Sequence, residues 1–181
     1  MEYLSHCKNL KSLKHLNLSN NEIGSEGMEF LSECDFLDSL RTINLSNNKF
    51  ANKGIKQLRD CKFFKSLCDI NLASNFIDNS GLRYLPDCTF LLSLNHIDFS
   101  NNKIDHEGIQ QYLSKCVLKN LTSLNIAYNN ISNNGVKFLT NIEELHNLTN
   151  LNLACNSIDW EGMKYLCCNN LSNLLTLDIT T

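Results

Sequence analysis

Apolar residues arrive in short bursts along this chain, and the bursts return in the same order. Leu13, Leu16 and Leu18 are followed by Asn21 and Ile23, and the frame L-x-x-L-x-L-x-x-N-x-I then repeats at a spacing of 27 residues. Later copies run Leu40-Ile43-Leu45-Asn48-Phe50, Leu67-Ile70-Leu72-Asn75-Ile77, Leu94-Ile97-Phe99-Asn102-Ile104, Leu121-Leu124-Ile126-Asn129-Ile131 and Leu148-Leu151-Leu153-Asn156-Ile158. A further copy begins at Leu174-Leu177-Ile179, and residues 1–12 overlay residues 28–39 as the tail of an earlier one. Gly27, Gly54, Gly81, Gly108, Gly135 and Gly162 share one phase.

Each L-x-L triplet alternates with period two, which predicts a short strand with one buried face. Behind it, Met28, Leu31, Cys34 and Leu37 step by three, which predicts a short amphipathic helix over 27–37. Strand, turn and helix make one coil. A lone coil cannot bury its apolar side, but stacked coils share a continuous core. Parallel strands stack about 4.8 Å apart, whereas helices need roughly 8–10 Å between axes. The helical side must splay, so the stack curves. The expectation is an α/β solenoid, a horseshoe with an inner parallel β-sheet and outer short helices. Residues 1–181 form a single domain of about six full repeats plus partial repeats at both ends. The phased Asn is suited to satisfying turn backbone that no strand reaches. The phased Gly suits close approach between coils.

The stretch "LNLSNNEIGSEGMEFL", residues 16–31, resembles the ribonuclease-inhibitor-like subclass of the leucine-rich repeat family, and the likeness runs through essentially the whole chain. That subclass includes repeat domains of GTPase-activating proteins for small nuclear GTPases, tropomodulin-like actin cappers and intracellular immune receptors. The resemblance implies a shared scaffold rather than a shared task. The chain departs from the family pattern in carrying mostly asparagine where "LDLS" is commoner, and in lacking flanking cap modules.

Composition narrows the field. The 181 residues are 43% hydrophobic, with net charge −3 and no polybasic run, so neither nucleic acid nor a membrane is expected as partner. No stretch is long enough for a membrane span, and the start lacks the features of a signal peptide. Nine cysteines, an odd number, read as thiols of a reducing, cytoplasmic setting. Five of them, Cys7, Cys34, Cys61, Cys88 and Cys116, share one phase, where Ile142 follows. The column reads either as a metal or disulfide ladder or as a small apolar slot; the isoleucine favours the slot. The sequence carries no nucleophile-elbow, zinc-binding-helix, P-loop or dinucleotide-loop fingerprint, and no cofactor is expected.

The outward strand positions form three columns. The first reads His15, Thr42, Asp69, His96, Ser123, Asn150, Thr176. The second reads Asn17, Asn44, Asn71, Asp98, Asn125, Asn152, Asp178. The third reads Ser19, Ser46, Ala73, Ser100, Ala127, Ala154, Thr180. All three are expected to face solvent. The second column reads as an amide ladder stabilising the sheet, or as a ligand surface. Aromatics such as Tyr84 and Tyr112 recur with the helices and read as packing. Three others break the repeat. Phe76 stands where other coils have Glu22, Lys49 and Lys103; Tyr128 stands where they have Asn20, Asn47 and Asn101; and Trp160 is the sole tryptophan. All three are expected on or beside the rim between strands and helices, as partner-binding anchors or as local packing. His15, Asp69, His96 and Asp98 complete the candidate surface.

These readings converge on a non-catalytic module that binds a protein partner through the concave face and adjacent rim. The alternative is a regulator of a partner enzyme, an inhibitor or of GTPase-activating type. No nucleophile or acid–base constellation points to an enzyme. The last strand, "LLTLDITT", is a candidate for end-to-end self-association.

Overall fold

The computed structural model describes residues 1–168 and 171–181. In chain order the elements are α1 (Glu2–Ser5), β1 (His15–Asn17), α2 (Ser25–Ser32), β2 (Thr42–Asn44), α3 (Ala51–Asp60), β3 (Asp69–Asn71) and α4 (Asn79–Leu82). They continue with β4 (His96–Asp98), α5 (His106–Gln111), β5 (Ser123–Asn125), α6 (Ser132–Leu139), β6 (Asn150–Asn152), α7 (Trp160–Cys168) and β7 (Thr176–Asp178). The seven strands form one parallel sheet in sequence order. Leu16 pairs with Ile43, Ile43 with Ile70 and Ile70 with Ile97, so each strand meets the next one repeat later. We number the coils by their strands.

The inward residues of successive coils pile into a single core. Leu45, Leu72, Phe99, Ile126 and Leu153 are buried, as are Ile55 and Leu58 of α3. The helix expected over 27–37 is in fact two pieces. α2 stops at Ser32, and a 3₁₀ turn spans Asp35–Leu37. Between them Cys34 takes φ −82° and ψ 58°, and the Asp35 amide donates to the Glu33 carbonyl at 2.9 Å. That is an inverse γ-turn. The coil has to reverse within a few residues, and the three-residue apolar step is the period of the tighter helix.

The phased asparagine joins coils as well as satisfying its own turn. Nδ2 of Asn75 donates to the carbonyls of Leu72 and Ala73 in its own coil and of Leu45 in the preceding one. Asn48, Asn129 and Asn156 repeat this, each with one bond across the junction. All four side chains lie in buried residues. Among the described residues no buried side-chain nitrogen or oxygen lacks a partner.

A second connection, not expected from the repeat, links the starts of the helices. Asn79 Nδ2 donates to Asp105 Oδ1 at 2.7 Å, and the Asp105 amide donates back to Asn79 Oδ1 at 3.2 Å. Asn52 with Asp78 and Asn133 with Asp159 form the same reciprocal clasp. It explains the phased glycines at these junctions. No glycine has positive φ, so backbone freedom is not the reason. A Cβ on Gly108 would stand 2.3 Å from Asn79 Oδ1, and one on Gly81 2.6 Å from Asn52 Oδ1. Burial pushes the Asp78 carboxyl up, but hydrogen bonds from Asn52 and Ser80 and the nearby charge of Lys103 outweigh it and hold it below the usual value. Coils 1–2 and 4–5 have no clasp, because Ser25 and Ala51, and His106 and Ser132, occupy the positions. There Ala51 and Ser132 turn left-handed, at φ 49° and 57°. Their amides bond instead to the carbonyls of Asn75 and Asn156 in the following coil.

Candidate functional site

The concave face is the outward side of the sheet. Asp69 and His96 are direct partners across β3 and β4, with Asp98 two residues further along β4. His15 lies three strands away and bonds to Thr42 Oγ1 at 2.9 Å. The structure therefore gathers Asp69, His96 and Asp98 and leaves His15 apart. Among the described residues the only ion pairs are Glu22–Lys49 and Arg59–Asp60, so Asp69 and His96 are neighbours without a salt bridge. A shallow hollow of about 320 Å³ opens beside His96, between Asn125, Asn152 and Asp178.

The second column is not an amide ladder. Oδ1 of Asn17, Asn44, Asn71, Asn125 and Asn152 each accepts from the backbone amide two residues on, as do Asp98 and Asp178. These are Asx-turns that end each strand. They need only an acceptor, which is why aspartate and asparagine interchange. One lateral bond exists, from Asn125 Nδ2 to Asp98 Oδ2 at 3.1 Å. The third column departs from expectation too. Ala73, Ala127 and Ala154 are buried, since the chain has begun to turn inward there.

The three repeat-breaking aromatics lie along the turns between strand and helix, with Phe76 56% exposed, Tyr128 60% and Trp160 73%. None of their rings stacks on another. Tyr128 belongs to a column of left-handed residues with Asn20, Asn47, Ser74, Asn101 and Cys155, and adopts φ 54°. Phe76 is also left-handed, at φ 60°. Asparagine tolerates that conformation; a bulky ring is strained in it. The neighbouring Cys155 thiol raises the pKa of the Tyr128 phenol. Trp160 opens α7 at the phase of the clasp residues Asn52, Asn79 and Asn133.

Phe76 also forms one wall of a rim pocket of about 260 Å³, with Asn47, Lys49, Ser74, Asn101 and Lys103 around it. Lys103 Nζ lies 5.6 Å from the Phe76 ring centre, within cation–π range. The sequence pattern singles out the phenylalanine and not the lysines. A signal for them is nevertheless present, since Lys49, Phe76 and Lys103 occupy one phase in successive coils.

The cysteine column is internal from its second member on, Cys7 being only partly buried. Cys34, Cys61, Cys88 and Cys116 are buried, and each Sγ–H points at the carbonyl four residues back, at 3.3, 3.7, 3.4 and 3.5 Å. The slot thus uses the thiol as a weak donor at the end of the helical turn. Burial pushes these thiols up, to about 11 for Cys34 and about 12 for Cys88 and Cys116. Thiols so held in the neutral form are poor nucleophiles and metal ligands.

Parallel strands in unbroken order, backed by helices and laced by a phased asparagine, define a leucine-rich repeat solenoid. Leucine-rich repeat models match residues 9–32, 39–64, 117–139 and 144–167, together over half of the sequence, and the chain belongs to the leucine-rich repeat family. No curated protein matches it by sequence. Among solved structures it is similar to an internalin from Listeria monocytogenes, at 20% identity and TM-score 0.65, over 98% of this chain and 51% of that one. The chain thus spans about half the length of that internalin. It is also similar to the tropomodulin C-terminal domain of Caenorhabditis elegans, at 16% identity and TM-score 0.55, over 94% of this chain and 92% of that one. At such identities the likeness is one of fold. Domains of this family typically mediate protein–protein interaction. Among the described residues no helix is long and apolar enough to cross a membrane.

Proposed function

We propose that residues 1–181 work as one repeat module that binds a protein partner through the concave face and its rim, and that the module itself catalyses no reaction. The observation that carries this reading is that two of the rim aromatics, Phe76 and Tyr128, hold left-handed backbone while more than half exposed. A strained, solvent-facing ring costs stability, and exposed aromatics are the commonest anchors of interfaces. Asp69, His96 and Asp98 supply a polar floor beside these anchors, and His15 extends it toward the first coil. Protein suits this surface better than nucleic acid or lipid, because the strand face carries few cations. Nine free thiols accord with work in the reducing cytoplasm.

The test is capture by the immobilised chain from cell extract, quantified by mass spectrometry. The variant Phe76→Ala/Tyr128→Ala/Trp160→Ala should stay folded and lose its specific partner. A partner retained in full by that variant overturns the reading.

A further inference from the structure

We infer that the rim pocket at Phe76 takes a carboxylate-bearing side chain from an acidic, extended segment of the partner. This rests on the proposed binding through the rim and specifies its chemistry. At about 260 Å³ the pocket falls below the roughly 300–1,000 Å³ of small-molecule sites and suits one or two side chains of a protein. Its lining includes two lysines and no acid. The amide and hydroxyl groups around it are held in place, since Asn101 Nδ2 donates to Ser74 Oγ at 2.9 Å and Asn47 Nδ2 to Asn20 Oδ1 at 2.6 Å. Phe76 offers an apolar wall, and Lys103 is already drawn over it.

Charge placement selects this spot over the rest of the surface. Seven of the 16 basic residues fall in residues 41–65, with Asp60 as the sole acid there. Most of these belong to the helical side of coil 2, where acids of the preceding coil stand in register without forming ion pairs. Glu26, Glu29, Asp35 and Asp38 stand one repeat before Lys53, Lys56, Lys62 and Lys65. The rim differs. Lys103 stands between Phe76 and Asn130 in its column, and the nearby Asp78 carboxylate is already engaged by Asn52 and the Ser80 amide. Lys49 is paired with Glu22 at 2.7 Å, but both side chains are largely exposed, so a partner's carboxylate can take the place of Glu22 at almost no cost. A carboxylate between Lys49 and Lys103, with its carbon stem on Phe76, meets complementary charge and apolar surface together.

The experiment titrates the ¹⁵N-labelled chain with acetylated hexaglutamate, with hexaglutamine as control, at physiological salt. Amide shifts should cluster at Asn47, Ser74, Phe76, Asn101 and Lys103. Binding should weaken about tenfold in Lys49→Gln/Lys103→Gln and be unchanged in Lys56→Gln/Lys62→Gln. Shifts confined to the helical lysines, or none at all, overturn the inference. The capture experiment with the triple aromatic variant is independent of this titration. A silent peptide with lost capture removes only the acidic occupant, whereas retained capture removes the rim reading.

Discussion

The backbone amide of Asn48 donates to the side-chain Oδ1 of Asn75, one coil further on, at 3.1 Å. The same side chain donates to three carbonyls, so one amide group serves two coils. Asn75→Ala leaves the buried Asn48 amide without a partner and takes one of two donors from the carbonyls of Leu45, Leu72 and Ala73, and should cost about 2–3 kcal/mol in urea denaturation. Asn21→Ala removes two exposed bonds and should cost only about 1 kcal/mol.

The Asx-turns predict a contrast within the second column. Asn44 uses Oδ1 as acceptor for the Ser46 amide, so Asn44→Asp should leave the melting temperature nearly unchanged. Asn125 also donates to Asp98. Asn125→Asp would set two carboxylates together and should destabilise by about 1 kcal/mol, a loss that added salt shrinks.

Gly81→Ala should destabilise by about 2 kcal/mol, because its Cβ collides with the clasp oxygen of Asn52. Adding Asn52→Ala should recover part of that loss. Gly24 caps α2, and a Cβ added there would meet no atom within 4 Å. Gly24→Ser should therefore stabilise, by about 0.5 kcal/mol.

Tyr128→Asn restores the residue found at Asn20, Asn47 and Asn101 in the same left-handed column. It should raise stability by about 0.5–1 kcal/mol by thermal melting. In the capture experiment it should weaken partner binding. Gain of stability with loss of binding is the signature of a residue kept for contact.

The thiols give a pH prediction. Folded Cys88 and Cys116 hold their protons to about pH 12, against an ordinary value of 9.0. The unfolded chain therefore ionises first. Their contribution to stability is complete below pH 9 and is lost as pH rises from there toward 12. Cys116→Ile, copying Ile142, should flatten part of that decline. At neutral pH a thiol reagent should label Cys167 and Cys168, both exposed, long before Cys34, Cys61, Cys88 and Cys116.

The solenoid is legible in the sequence because its determinants recur at one spacing. Leu72 and Asn75 sit in columns that repeat through every coil, and period alone assigns them to core and turn. The Asx column invites the wrong reading even though the correcting clue is printed in it. The side chains of Asp98 and Asp178 have no amide hydrogens and cannot join a ladder of donors. The clasp escapes notice because Asn79 and Asp105 lie 26 residues apart, one residue out of phase with the repeat, and neither recurs in all coils. At the rim, exposed Phe76, Tyr128 and Trp160 are visible as exceptions to a rule. Lys49 and Lys103 are not, since a lysine at a solvent-facing phase breaks no rule until the pocket between them is seen.

Clasps join coils 2, 3 and 4 to one another, and coil 5 to coil 6, but not coil 4 to coil 5. Lys49, Phe76 and Lys103 all belong to the first clasped block, and Tyr128 and Trp160 to the second. The two groups of anchors therefore stand on separately clasped blocks, across a junction held by the pairing of β4 with β5 and by Asn129. A partner that grips both groups has to span that junction.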